Sequence, residues 1–261
     1  MATHAEKWPA GTPCWVELTV KDLDRSQQFY RAVLGWEFDD AGEAYGHYTN
    51  ALLGGRRVAG ISPPSDDMDW PSMWTTYLAT DDIDETEDAA IGAGAKPVIE
   101  PMEVGEFGRV ALWVDPSGVA FGAWEADAHT GYEVHHEPGA VAWIDLVTAD
   151  LEESKAFYGN VFRYTYEDTP MGDMAYAVFT PPGTGVPAGG MGPQSPGDRL
   201  PPRWTVTFEV DDVDAAMARV VEAGGRADDE PFEFEYGRLV SVKGPDGEDF
   251  SLITPAPVSD D

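Results

Sequence analysis

Two acidic side chains stand where they could move a proton. Glu17 follows Trp15 by two residues, and Asp145 follows Trp143 by two. In an extended strand, residues i and i+2 share a face, so each carboxylate sits beside an indole. A carboxylate desolvated in this way holds its proton to higher pH and can abstract or donate one. The competing reading is structural: each is hydrogen-bonded to backbone or Arg, or partly solvated, and does no chemistry. Arg109 and Arg238 both follow Gly and begin a strand pattern. They are candidates to pair with Glu17 and Asp145 or to bind a ligand carboxylate. Structural pairing is the weightier role, because a buried charge needs a partner.

Metal and thiol chemistry have less to work with. His4 lies in a leading segment, His47 on an early strand without a repeat partner, and His129, His135 and His136 in one polar stretch. His135-His136 reads as a solvated pair, since a closed zinc site needs about four ligands. The single cysteine, Cys14, excludes an intramolecular disulfide and a CxxC pair and receives no role.

The elements that must position these residues come from a repeat. WVELTVKDLDRSQQFY at 15–30 matches WIDLVTADLEESKAFY at 143–158. Further matches in the same order are WTTYLATDDID with WTVTFEVDDVD, Glu100-Pro101 with Glu230-Pro231, Gly108-Arg109 with Gly237-Arg238, and DPSGVAF with GPDGEDF. The offset drifts only between 128 and 130 residues, so the chain is a tandem duplication. The boundaries are a tail at 1–10, module one at 11–126, a polar linker at 127–138, module two at 139–255 and a tail at 256–261.

Within a module, the alternation around Val16, Leu18 and Val20 predicts a strand. Asp22 then caps a helix that stops at Gly35. A strand over 74–80, a helix over 83–93 and a hairpin over 108–125 around Asp-Pro-Ser-Gly follow. The pattern is β-α-β-β twice per module. The Pro- and Gly-rich stretches 54–73 and 181–203 read as long loops, each holding a small turn, Gly60-Ile61-Ser62-Pro63 and Gly190-Met191-Gly192-Pro193.

The 261 residues carry a formal charge of −32, which repels nucleic acid and anionic membrane surfaces. Hydrophobic residues at 43% suffice for a core, and no apolar run approaches the roughly 18 residues of a membrane span. A cytoplasmic protein, monomeric or homodimeric, is the expectation.

The motif W-x-E-L-x-V-x-D-L-x-x-S-x-x-F-Y, the D-D-[IV]-D helix start and the late D-P-x-G hairpin resemble the glyoxalase/bleomycin-resistance/extradiol-dioxygenase (vicinal oxygen chelate) superfamily, in its tandem two-module form. The resemblance implies an α+β fold in which paired βαβββ units form a curved sheet around a cavity. It also implies a divalent metal held there by His, Glu or Gln. The matching positions here are Trp15, Thr75 and Gly122 in module one and Trp143, Thr205 and Ser251 in module two. None supplies an imidazole or carboxylate, so no metal and no other cofactor is expected.

Strand parity then makes Trp15, Thr75, Tyr77, Trp124, Trp143, Thr205, Thr207 and Ser251 candidate ligand-binding residues, with Arg109 and Arg238 beside them. Such a lining suits a small organic molecule with flat apolar parts and a few polar groups. The favoured function is metal-free binding of such a molecule. The alternative is a lyase, isomerase, dioxygenase or hydroxylase-type enzyme using Glu17 or Asp145 as base, or a divalent metal in an altered site. An assembly role, with a partner chain over the exposed sheet face, is a weaker third reading.

Overall fold

The computed structural model describes residues 3–64, 71–172, 174–194 and 200–257. Module one runs β1 (Pro13–Thr19), α1 (Leu23–Leu34), β2 (Glu37–Asp40), β3 (Thr49–Leu53), β4 (Arg56–Ser62), β5 (Met73–Ala79), α2 (Ile83–Gly92), β6 (Lys96–Val104), β7 (Gly108–Val114) and β8 (Ala120–Ala126). Module two repeats this order: β9 (Val141–Thr148), α3 (Leu151–Phe162), β10 (Thr165–Asp168), β11 (Ala177–Thr180), β12 (Gly189–Pro193), β13 (Arg203–Glu209), α4 (Val213–Glu222), β14 (Arg226–Ala227), β15 (Phe232–Phe234), β16 (Gly237–Lys243) and β17 (Asp249–Pro255). Each module is a curved mixed sheet with its first strand central, in the order β2-β3-β4-β1-β5-β8-β7-β6 and β10-β11-β12-β9-β13-β17-β16-β14. Neither sheet closes into a barrel.

The helices start where capping chemistry says they should. Asp22 and Asp150 each accept a hydrogen bond from the backbone N–H three residues on, satisfying a donor that has no helical partner. Gly35 ends α1 at φ 76°, the left-handed conformation that favours glycine.

The unit is βαβββ rather than β-α-β-β, because the two stretches read as loops contain strands. β4 and β12 pair in parallel with β1 and β9. The supposed turns at Gly60 and Gly190 lie inside them. Glycine is there because a tyrosine ring lies over the strand, and a Cβ would collide with Tyr48 at one position and Tyr176 at the other. β6 was also missed. It carries Pro97 and Pro101, which suit only an edge strand, and it is the last strand of its sheet. Residues 65–70 and 195–199 of the two stretches, and 1–2 and 258–261 of the tails, lie outside the described residues.

The helix-bearing faces of the two sheets meet. α1 packs on α4 and α2 on α3, and β5 touches β13. Val16 and Leu18 on one sheet and Val206 and Phe208 on the other are fully buried in this layer. Two polar pairs cross it: Tyr30 donates to Glu248 Oε1 at 3.0 Å, and Tyr158 donates to Asp115 Oδ2 at 3.1 Å. Burial raises both carboxyls above the ordinary carboxylate range, opposed by these bonds.

The 127–138 segment is no solvated tether. Tyr132 and Val134 are buried, and Glu133 binds Arg57 through Oε1 at 2.9 Å. The leading segment is docked on it: His4 N–H donates to Glu133 O at 2.8 Å, and Trp8 Nε1 to Tyr132 O at 3.3 Å. No described helix is long and apolar enough to cross a membrane.

Candidate functional site

Parity sends Val16 and Leu18 to the helices and leaves Trp15 and Glu17 on the concave side. The neighbouring strands fix what stands opposite. Trp15 pairs with Tyr77, Glu17 with Thr75 and also with Gly60, and Tyr77 with Gly122. Module two repeats the register: Trp143 with Thr207, Asp145 with Thr205 and with Gly190, and Thr207 with Ser251. Nine predicted site residues are thus brought together, four in module one and five in module two.

Each set has a tyrosine that the sequence reading passed over. Tyr48 and Tyr176 are repeat equivalents, 128 residues apart. Trp15 Nε1 donates to Tyr48 Oη at 2.7 Å, and Trp143 Nε1 to Tyr176 Oη at 2.9 Å. Tyr176 donates in turn to Asp145 Oδ1 at 2.7 Å, with Trp143 Nε1 3.1 Å from the same oxygen. Glu17 accepts a hydrogen bond from Ser62 Oγ at 3.0 Å, and the hydroxyls of Tyr48 and Tyr77 also favour its charged form. Burial raises both carboxyls above the ordinary range, and these donors oppose the rise. Extending the 128-residue offset past the first helix would have found both tyrosines.

The two sites differ in bulk. In module one the Tyr77 ring lies against Gly122, so close that a Cβ there would collide with it. His129 covers Trp15 edge-on at 4.5 Å and Trp124 at 5.7 Å, and Trp124 Nε1 donates to its carbonyl at 2.7 Å. Burial, with Arg57 nearby, brings the His129 imidazole down to about 4, so the ring is neutral at pH 7. In module two Tyr77 is replaced by Thr207 and Trp124 by Ile253 at the repeat offsets. There an open groove of about 940 Å³ lies beside Asp145, Tyr176, Thr205, Ser241 and Ser251.

Arg109 and Arg238 do not join these sites. Arg109 pairs with Asp84 at 2.9 Å and with Glu125 at 3.4 Å, and Arg238 with Asp214 at 2.9 Å. Arg109 stands opposite Glu125 in the sheet, on the face away from Trp124, and Asp84 and Asp214 lie in the first turns of α2 and α4. Parity sends both guanidiniums to the helix side, so the pairing with Glu17 and Asp145 is replaced by helix-end pairs.

The positions where a divalent metal would be gripped carry indole, hydroxyl or bare backbone. Among the described residues, no three His, Cys, Asp or Glu side chains are grouped to hold an ion. This donor set does not fit a metal of the kind the resemblance implies.

Comparison with known proteins places this geometry. The chain is 34% identical over 252 residues to "Putative glyoxylase CFP32" of Mycobacterium tuberculosis, covering 95% of this chain and 96% of the relative. It is 32% identical over 263 residues to the anthracycline biosynthesis protein DauV of Streptomyces sp. strain C5, covering 95% and 94%. In fold it is similar to the Mn(II)-bound glyoxalase from Novosphingobium aromaticivorans, with a TM-score of 0.64 at 18% identity, covering 95% and 89%. It is likewise similar to the 2,3-dioxygenase LapB from Pseudomonas sp. KL28, with a TM-score of 0.65 at 14% identity, covering 97% and 96%. One family model matches twice, over residues 13–122 and 140–252, the same two units that the sheets and the repeated Trp–Tyr–carboxylate sets define. The chain therefore belongs to the Glyoxalase/Bleomycin resistance protein/Dioxygenase superfamily.

Proposed function

We propose that the protein binds a flat, hydroxylated organic molecule in the groove of module two, without a metal at the superfamily's position. The observation that carries this reading is the Trp143–Tyr176–Asp145 set at the edge of a groove of about 940 Å³. That volume lies in the range of small-molecule sites, roughly 300–1,000 Å³. Asp145 accepts from a ligand hydroxyl, and Thr205, Ser241 and Ser251 offer further polar contacts. Two relatives bear the name anthracycline biosynthesis protein, which fits a polycyclic ligand class. The molecule works in the cytoplasm as a monomer or homodimer, with neither nucleic acid nor membrane as partner.

Calorimetric titration with 1,8-dihydroxyanthraquinone tests the reading. Thr205→Trp fills the groove and is expected to weaken binding about tenfold or more, which corresponds to 1.4 kcal/mol or more. Unchanged binding in that variant overturns it. So does stoichiometric Mn(II) or Fe(II) retained after dialysis and lost in Asp145→Asn.

A second reading is proton transfer by Asp145, favoured by its raised pKa and its bond from Tyr176. Asp145-dependent uptake of deuterium from heavy water into a bound carbon acid would distinguish catalysis from binding alone.

A further inference from the structure

A second cavity is lined by neither Glu17 nor Asp145. It measures about 320 Å³ and is walled by the leading segment, the 127–138 segment, the start of β9 and residues 184–188. Its apolar walls include Trp8, Tyr132, Trp143 and Val186, and its polar groups include His4, His135 and His136. These residues come from four distant stretches of chain.

We propose that this junction cavity is a ligand site for a flat, uncharged aromatic molecule bearing a phenolic hydroxyl. The rings are already arranged for stacking. His4 lies on Trp8 at 3.9 Å, His135 meets Trp8 edge-on at 5.2 Å, and His136 stands 4.7 Å from His135. The Nε2 atom of His4, in the cavity wall, is sealed from solvent and has no hydrogen-bond partner among the described residues.

The chemistry selects the ligand class. His135 and His136 are solvent-exposed in part, and their partial desolvation holds both below the ordinary imidazole value, so both are neutral at pH 7. A neutral imidazole offers one acceptor nitrogen, which suits a hydroxyl donor. No Lys or Arg is among the described residues lining the cavity, and the chain's net charge of −32 opposes an anion. A metal cation is not the occupant, because no three donors in the described residues are grouped to hold one.

The site shares no lining residue with the groove of module two, although Trp143 lines it and also donates through Nε1 to Tyr176 and Asp145. Each site can therefore fail its test alone.

The probe is 2-naphthol, titrated calorimetrically into the full chain, with the histidine Cε1–H resonances followed by NMR. One equivalent is expected to bind and to shift His4, His135 and His136. Val186 is 63% exposed, so Val186→Trp blocks the cavity without disturbing the core. That variant, and His4→Phe, which keeps the stack but loses the nitrogen, are each expected to weaken binding about tenfold. Asp145→Asn is expected to change it less than about twofold. Absence of binding, or binding unaffected by Val186→Trp, overturns the proposal. Loss of binding in Asp145→Asn but not in Val186→Trp also overturns it and moves the probe to the groove. The anthraquinone titration of Thr205→Trp reads the groove independently.

Discussion

The phenol of Tyr176 bridges the indole of Trp143 and the carboxylate of Asp145, 2.9 Å from one and 2.7 Å from the other. The tyrosine can come so close only because residue 190 is glycine. Module one repeats the indole–phenol bond with Trp15 and Tyr48 over Gly60, but there Ser62 donates to the carboxylate of Glu17.

The raised pKa of Asp145 carries a stability consequence. A carboxyl whose folded pKa lies above its unfolded value contributes stability in acid, and that contribution fades as pH rises through the folded pKa. Asp145→Asn cannot ionise but still accepts from Tyr176. Its melting temperature relative to the parent is expected to climb as pH rises above the ordinary carboxylate range, because only the parent then has to ionise a buried acid. Glu17→Gln is expected to behave alike. Differential scanning calorimetry across that pH rise checks both, and a flat difference would refute the burial argument.

His129 works in the opposite direction. Its pKa falls to about 4 in the folded chain, against about 6.5 in an unfolded one. Between those values the unfolded chain binds more protons, so stability is lost as pH falls from about 6.5 to about 4. Replacing it by Gln is expected to flatten the pH dependence in that window while costing contact with Trp15 and Trp124. Urea melts of both proteins at matched pH measure the difference in slope.

The glycine requirement is also testable. A Cβ at Gly190 or Gly60 would run into the tyrosine hydroxyl. Gly190→Ala and Gly60→Ala are each expected to destabilise by about 1–3 kcal/mol, the usual cost of overpacking. Denaturant unfolding gives the number. Gly190→Ala paired with Tyr176→Ala is expected to recover part of it, since the clash goes with the ring. No recovery would place the strain elsewhere.

Much of this was legible before any coordinates. The 128-residue offset located both modules, Asp22 and Gly35 bracketed α1, and strand parity put each indole beside its carboxylate. What escaped notice was set by contacts between distant segments. Gly60 and Gly190 carry the local signature of turns, and only the tyrosine above each explains their place in a strand. Arg109 and Arg238 make the structural pairs their types suggest, but with Asp84 and Asp214, because the parity of their own strands turns them to the helices. The segment at 127–138 is polar by composition, and nothing local says that His129, Tyr132 and Val134 turn inward.

The crossed bonds from Tyr30 to Glu248 and from Tyr158 to Asp115 tie the halves by exchange. Each half contributes one phenol and one acid, and each acid would be stranded without the other half's phenol. A gene cut between the repeats would therefore yield two fragments that have to find each other before either buries its charge safely. The duplication has become a marriage of unlike partners, in which one copy closes its hollow with aromatic rings and the other keeps it open.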